Sequence, residues 1–212
     1  MKEKSFKRKN KLLEAALDEF TTKSYENASL NTILKNAGVS KGTFYYHFQD
    51  KQALYIFILK LAHETECEFL NKRIKERADE FEGKDIFEKF KLQSQIGVEF
   101  ALAFPKYLKL SMMFMKEEEN EENKRIFQYV NDVHTNTTKV WVDEMITKAI
   151  EDGDFNDRFS KDFIMKTMNS LFLHFAEMFD VVEDYKKGKL LEDVDDLVDF
   201  LKYGFGKQNS KK

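Results

Sequence analysis

One stretch constrains the fold of this chain more than any other, and it runs from Ser29 to Lys51 as SLNTILKNAGVSKGTFYYHFQDK. Its first half repeats apolar residues at intervals of three and four, which predicts a short helix with one apolar face. Ser29 stands where a helix N-cap belongs. Gly38 can adopt the left-handed conformation that ends a helix. The spacing therefore predicts a short helix followed by a tight turn.

The second half of the stretch predicts another short helix. Ser40 is placed to cap it, and Phe44 and Phe48 lie four residues apart on the face that would reach a core. Val39 would turn inward between the two helices, and Asp50 would cap a third. The remaining face carries a cation, hydroxyl groups, an imidazole and two tyrosine rings. This is the layout of a helix-turn-helix whose second helix can enter a DNA major groove.

At these residues the sequence resembles the TetR (tetracycline repressor) family of transcriptional regulators. The shared pattern is an apolar first helix, a turn, the run AGVSKGTFYYHF and then KxxL, and it covers residues 6–60. Ser24 departs from the pattern, because the family usually has a glycine before the residue equivalent to Tyr25. The resemblance implies an all-α fold, with an N-terminal three-helix DNA-binding domain and a C-terminal helical domain for ligand binding and dimerisation.

Composition and periodicity agree with an all-α chain. It has one proline and eight glycines in 212 residues, and breakers of helices are therefore scarce. The apolar periodicity predicts about nine helices. The first helix should run from about Phe6 to Lys23, and the fourth should start after Asp50 and continue to about Phe81 as a rod of roughly 45 Å. We expect a DNA-binding domain at residues 1–50 and a ligand-binding and dimerisation domain at residues 51–212.

Charge is distributed unevenly along the chain. The net charge is −3, but residues 1–50 carry nine Lys and Arg against six Asp and Glu, whereas residues 51–212 are net acidic. Six of the cations lie within the first eleven residues. A basic arm beside a helix-turn-helix can neutralise DNA phosphates, although such a terminus can also be merely solvated.

Cysteine content and hydropathy indicate the compartment. Cys67 is the only cysteine, so an internal disulfide is impossible, and this fits a reducing cytoplasm. We interpret Cys67 as an inert helix residue rather than a redox switch, because no second thiol is present to resolve a sulfenic acid. No signal peptide and no apolar run long enough to span a membrane is found. The expected location is therefore cytoplasmic.

The resemblance, carried over position by position, implies a DNA-contacting set on the two short helices. Lys41, Gly42 and Tyr45 would meet base edges, and Gly42 matters because a side chain there would hold the helix away from the groove. Asn31 occupies a position that often reads a base in the family. The residues expected to hold phosphates are Ser29, Thr43, Tyr46, His47 and Lys51.

The eighth predicted helix is apolar on nearly every face between Met165 and Val182. Such a helix must be buried on more than one side. A second copy of the chain would cover one side through a four-helix interface, as the resemblance also implies; a larger monomeric core is the alternative. The residues assigned to the interface are Leu171, Phe175, Phe179, Val194, Leu197, Val198 and Leu201.

Methionine and aromatic side chains on the middle helices suggest a cavity for an apolar or amphipathic small molecule, because methionine adapts to irregular shapes. The alternative is that these side chains are ordinary core. His134, Asn169 and His174 are polar candidates in the same helices. The candidate ligand-binding residues are Met112, Met113, Trp141, Met145, Met168, Phe172 and Phe175.

Three classes of function fit these observations. The first is a ligand-responsive regulator that binds a palindromic operator in double-stranded DNA as a homodimer and is released by a small effector. The second is a helix-turn-helix adaptor controlled by a protein partner, and the third is an all-α enzyme. No phosphate-binding glycine loop, metal-ligand spacing or recognisable nucleophile is found, so we predict no catalytic residues, no metal and no cofactor.

Overall fold

A computed structural model describes residues 8–116, 124, 126, 143–173 and 189–205, with only the backbone of residues 115, 116, 172, 173 and 205. The regular elements in these ranges are helices, which confirms the predicted all-α class. Ten helical segments are described, one more than expected, because α5 is a separate single turn. They are α1 Lys9–Phe20, α2 Leu30–Ala37, α3 Lys41–His47, α4 Lys51–Glu76, α5 Ala78–Phe81, α6 Ile86–Ala103, α7 Pro105–Lys116, α8 at residues 143–152, α9 Lys161–Leu173 and α10 Lys189–Phe205.

Several helix boundaries follow directly from local sequence. Pro105 is the first residue of α7, where its missing N–H costs nothing. Gly153 follows α8 with φ 82°, a left-handed conformation that suits glycine. The Ser160 hydroxyl accepts the Phe163 N–H at 3.2 Å and caps α9. These three predicted boundaries are confirmed.

The predicted length of the fourth helix is wrong. It ends at Glu76 rather than near Phe81, because Arg77 leaves the helical conformation, with φ −110° and ψ 22°. The Arg77 guanidinium bonds Glu80 at 2.8 Å and Glu99 of α6 at 3.2 Å, a tertiary contact that local periodicity does not report. Twenty-six residues give α4 a length of about 39 Å. The first helix is also shorter than expected, at Lys9–Phe20 within the described residues.

The chain divides into two compact units. The first consists of Met1–Glu68 and Ala101–Val133, and its core lies between α1, α2, α3 and the first half of α4. An aromatic cluster fills part of this core: the Tyr55 ring lies 4.8 Å from the Phe20 ring and 4.9 Å from the Tyr25 ring, centroid to centroid. Burial of these rings holds the connection between α1 and α2 against α4.

The second unit consists of Phe69–Phe100 and His134–Lys212. Ion pairs join α10 to α6 and to the residue before it, with Lys91 of α6 bonding Asp199 and Asp85 bonding Lys202, both at 2.8 Å. The Phe87 ring also meets the Phe155 ring edge-on at 5.4 Å. None of the described helices is both long and apolar enough to cross a membrane. The functional boundary at residue 50 stays a prediction.

Candidate nucleic-acid interface

The two helices of the predicted helix-turn-helix are bounded by caps, one at the start of α2 and one on each side of the turn. The Ser29 hydroxyl accepts the Thr32 N–H at 3.3 Å at the start of α2. Gly38 ends that helix with φ 62° and ψ 35°, which is the left-handed region that favours glycine. The Ser40 hydroxyl then accepts the Thr43 N–H at 3.1 Å and starts α3. The turn therefore has the geometry that its sequence predicts.

The inner face of α3 is anchored by two phenylalanines. Phe44 is fully buried, and Phe48 is buried with its ring 5.7 Å from that of Phe44. Val39, in the turn, is buried as well. Each of these predicted core positions is confirmed. The apolar anchors hold α3 by one side and leave its other side facing outward.

The outer face of α3 carries the residues that were assigned to DNA. Tyr45 is 56% exposed and Tyr46 is 69% exposed, which is unusual for side chains of this size. Their neighbours Lys41, Gly42 and Thr43 are exposed, and His47 is partly covered by the edge of the Tyr46 ring at 4.9 Å. One continuous surface therefore presents a cation, hydroxyl groups and aromatic rings.

Gly42 is not required by the packing of the protein itself. A β-carbon built at this position has the Ser40 Oγ at 4.0 Å as its nearest neighbour. The absence of a side chain leaves the helix backbone accessible from outside. At the start of α2, Ser29 is half-buried and Asn31 is exposed. These two residues lie on the helix that precedes the turn.

Arg8, one of the cations near the N-terminus, contacts the turn between α2 and α3. The Arg8 guanidinium donates to the Gly38 carbonyl oxygen, and the Lys9 ammonium lies 5.0 Å from the centre of the Phe57 ring. Residues 1–7 lie outside the described ranges. Sequence reasoning missed the Arg8 contact, because the partners are 30 residues apart and only folding brings them together.

Lys51, assigned to a DNA phosphate, is engaged within the protein. Its ammonium donates to the carbonyl oxygens of Tyr25 at 2.7 Å, Ala28 at 3.1 Å and Glu26 at 3.3 Å. It also lies 4.5 Å from the centre of the Tyr25 ring. The described contacts therefore tie this lysine to the connection between α1 and α2.

Glu19 is a second charged residue at this connection, and no sequence pattern pointed to it. It is buried, and one carboxylate oxygen accepts the Lys23 ammonium at 2.7 Å and the Ser29 N–H at 2.9 Å. The hydrogen bond from Lys23, followed by that from Ser29, lowers the pKa of Glu19 below its ordinary value. The carboxylate fixes the residue that caps α2.

The candidate ligand-binding residues fall in different surroundings. Met112, Met113 and Met145 are half-buried, whereas Met168 is completely buried. Several other candidates have side chains that lie outside the described part of the chain. They are Trp141, Phe172 and Phe175 and the polar candidates His134 and His174. Asn169 donates to Asp143 at 2.7 Å and so links α9 to α8.

A groove of about 510 Å³ lies within the first compact unit. Leu17 of α1, Ile58 of α4 and Tyr107 of α7 are among the residues that line it. No candidate ligand-binding residue is found among its described lining. The groove is therefore distinct from the cavity that the methionine and aromatic pattern predicts.

The residues assigned to the dimer interface divide into three groups. Val194, Val198 and Leu201 of α10 are buried within their own chain, and their part in a dimer interface stays a prediction. Leu171 and Leu197 are half-buried, and Phe175 and Phe179 lie outside the described residues. The same helix instead exposes Phe200 by 69% and Tyr203 by 71%. A helical stripe alone does not say which face its own domain covers.

Cys67 has surroundings that suppress thiol chemistry. Burial, and then the nearby carboxylates of Glu66 and Glu64, raises the pKa of Cys67 above its ordinary value. The Cys67 Sγ lies 3.4 Å from the His63 Nε2 one helical turn earlier. Burial lowers the pKa of His63, which keeps the imidazole neutral. A protonated thiol is a poor nucleophile, in agreement with the inert interpretation.

Comparisons with known proteins agree with this geometry. Residues 12–56 match the family model described as bacterial regulatory proteins, tetR family. The chain is 33% identical over 63 residues to the uncharacterized HTH-type transcriptional regulator YdgC of Bacillus subtilis, which is 30% of this chain and 32% of YdgC. The match thus spans about a third of that relative's length.

Two solved structures extend the likeness along most of the chain. A TetR family transcriptional regulator from Chloroflexus aurantiacus superposes with a TM-score of 0.65 at 21% identity, covering 95% of this chain and 94% of that one. The regulator FadR of Bacillus subtilis, in complex with stearoyl-CoA, has a TM-score of 0.67 at 19% identity, covering 92% and 98%. At these identities the likeness shows the fold. The match to the tetR family model covers residues 12–56, and beyond it the chain shares the fold of these solved regulators.

Proposed function

We propose that this chain is a repressor that binds a palindromic operator as a homodimer and is released by a small apolar or amphipathic molecule. The observation that carries the proposal is the outer face of α3, where Tyr45 and Tyr46 are held exposed by the buried anchor Phe44. Exposed aromatic side chains that are grouped on one face commonly mark a binding surface. DNA bases and phosphates suit this mixture of rings, hydroxyl groups and a cation.

Within this proposal the residues divide by the part of DNA that they touch. Lys41, Gly42 and Tyr45 read base edges in the major groove, because they lie on the outer side of the recognition helix. Asn31 adds a base contact from α2. The phosphate contacts come from Ser29, Thr43, Tyr46 and His47, and the positive end of α2 supports them.

Two copies are needed to read a palindrome. Their recognition helices must lie about 34–36 Å apart to enter successive major grooves on one side of the duplex. Phe200 and Tyr203 lie three residues apart on α10 and are both exposed. We propose that they contact a second copy, together with α9. Contact with a partner would remove these rings from water.

The effector is proposed to bind the helices that follow α4. The half-buried methionines at 112 and 113, both in the first unit, support an adaptable apolar site. Stearoyl-CoA, which FadR of Bacillus subtilis holds, is an amphipathic molecule of the proposed class and is the first candidate to try. A release factor of about 100 in DNA affinity corresponds to about 2.7 kcal/mol of coupling.

The test is a fluorescence anisotropy titration of the purified protein with DNA that flanks its own gene. Specific binding of one dimer per palindrome, with affinity falling steeply as salt increases, supports the proposal. Binding equal to that of scrambled DNA would contradict it. A reporter gene placed behind the bound site separates a repressor from an activator by the direction of the change.

Calorimetry tests the switch separately. The candidate effector is titrated into the protein alone and into the protein bound to its operator. Linkage requires DNA to weaken effector binding by the same factor by which the effector weakens DNA binding. Equal effector affinities in the two titrations would exclude this switch for that molecule.

A further inference from the structure

Lys51 occupies a position where a lysine is electrostatically unfavourable. It is the first residue of α4, and the N-terminal end of a helix repels cations. Asp50 caps this end conventionally, with its carboxylate accepting the Ala53 N–H at 2.7 Å. The position of Lys51 therefore requires compensating contacts elsewhere.

The compensating contacts are the three carbonyl oxygens at residues 25, 26 and 28. An ammonium group has three N–H donors and no acceptor, so three acceptors occupy it completely. Their distances from the Lys51 Nζ are 2.7, 3.3 and 3.1 Å, and the Lys51 side chain is half-buried. A contact with a DNA phosphate would require at least one of these bonds to break.

The same connection is held from its other side by an anion. Glu19 of α1 accepts the N–H of Ser29, directly after the last carbonyl that Lys51 holds. Carbonyl oxygens thus face a cation from α4, and an N–H faces an anion from α1. Hydrogen bonds to ionised groups are shorter and stronger than bonds between neutral groups. Together they fix where α2 begins.

We propose that Lys51 is a positioning residue, which fixes the start of α2 on α4 and does not bind an operator phosphate. It acts on DNA only through the placement of α2 and, through the turn at Gly38, of α3. Any tilt of the first turn of α4 is then carried directly to α2. The DNA part of this proposal rests on the proposed function, whereas the positioning part does not.

Hydrogen exchange of the free protein tests the positioning part. In Lys51→Met, backbone amides at residues 29–34 should exchange at least about tenfold faster, since a hydrogen bond to a charged group is lost. Lys35→Met, an exposed lysine on α2, is the matched control and should leave exchange unchanged. Unchanged protection in Lys51→Met would overturn the proposal, whether or not the protein binds DNA.

The salt dependence of operator binding tests the DNA part of the proposal, namely that Lys51 does not contact a phosphate. A lysine that contacts a phosphate lowers the slope of log affinity against log salt by about 0.9 when it is removed. We expect Lys51→Met to bind more weakly with an unchanged slope. A slope reduced by about one unit would overturn the proposal. If the parent protein binds no operator, the proposed function fails, and hydrogen exchange still decides the role of Lys51.

Lys51→Arg provides a second variant that keeps the charge. A planar guanidinium cannot direct three donors at three carbonyls around one point as an ammonium does. A positioning role predicts faster exchange and at least about fivefold weaker operator binding. Parental exchange rates and affinity would overturn the proposal, because a phosphate contact tolerates either cation. This variant also replaces Lys51→Met if the latter does not fold.

Discussion

Glu19, near the end of α1, accepts the backbone N–H of Ser29, which caps α2, at 2.9 Å. The carboxylate is buried and also bonds Lys23, so its ionised form is stabilised by two donors. The relationship connects a titratable group on one helix to the first turn of the next. Its protonation state therefore affects the stability of the DNA-binding helices.

The first prediction is a pH-dependent contribution of Glu19. The pKa of Glu19 is lowered by folding, so its stabilising effect is present above its ordinary value of 4.5 and disappears as the pH falls through the lower folded value. In urea titrations, Glu19→Gln should lower the free energy of unfolding at pH 7, and the difference from the parent should shrink below pH 4.5. Glu14→Gln, an exposed neighbour on α1, is the control. A difference that is independent of pH would contradict the assignment.

The second prediction separates stability from DNA binding at Gly42. Alanine meets no neighbour closer than 4.0 Å there, so Gly42→Ala should raise the free energy of unfolding, by up to about 1 kcal/mol. Operator affinity should nevertheless fall, because the methyl group projects toward DNA. Gly97→Ala in α6 is the control, because a β-carbon there meets nothing within 4 Å. It should raise the free energy of unfolding and leave operator affinity unchanged. Parental affinity in Gly42→Ala would remove this glycine from the interface.

The third prediction concerns the exposed tyrosines of α3. Tyr45→Ala should weaken operator binding by about 1–3 kcal/mol and reduce discrimination among sequences, since a base contact is lost. Tyr46→Ala should lower the affinity for all DNA sequences by the same factor. The free energy of unfolding of both variants should stay within about 0.5 kcal/mol of the parent value, because both rings are exposed. Anisotropy against a set of single-base operator variants is the measurement, and unchanged discrimination by Tyr45→Ala would contradict its role.

The fourth prediction concerns assembly. Phe200→Glu should produce monomers in sedimentation velocity and abolish binding to the palindrome, since it places a charge within an apolar interface. The exposed position means that the monomer itself should remain folded. Leu102→Glu, an equally exposed apolar residue on α6, should leave the dimer intact. A dimer that persists in Phe200→Glu would place the interface elsewhere.

The fifth prediction distinguishes core from ligand site at Met168. The side chain is completely buried, so Met168→Ala should lower the free energy of unfolding by about 2–5 kcal/mol. The same substitution at a residue that lines an open cavity would lower the free energy of unfolding much less. Denaturant titration without effector, compared with Met112→Ala at a half-buried position, makes this distinction. A near-neutral Met168→Ala would instead support a place for this residue in the ligand site.

The sequence alone determined the local features of the DNA-binding region. Caps at Ser29, Ser40 and Asp50 act within three residues, and Gly38 is selected by a backbone conformation that other residues avoid. The spacing of Phe44 and Phe48 follows from the helical repeat, which assigns the outer face of α3 to the residues between them. Such features are encoded over one or two helical turns and can be predicted without a fold.

Only the tertiary structure decided how charged side chains and apolar stripes are used. Lys51 and Glu19 converge on one connection because α1 and α4 pack on either side of it, and the partners of Lys51 lie 23 to 26 residues away. On α10, Val198 faces its own core while Phe200 is exposed, although both belong to an apolar helix. Periodicity identifies an apolar face, but the neighbours that cover it are set by packing between distant segments.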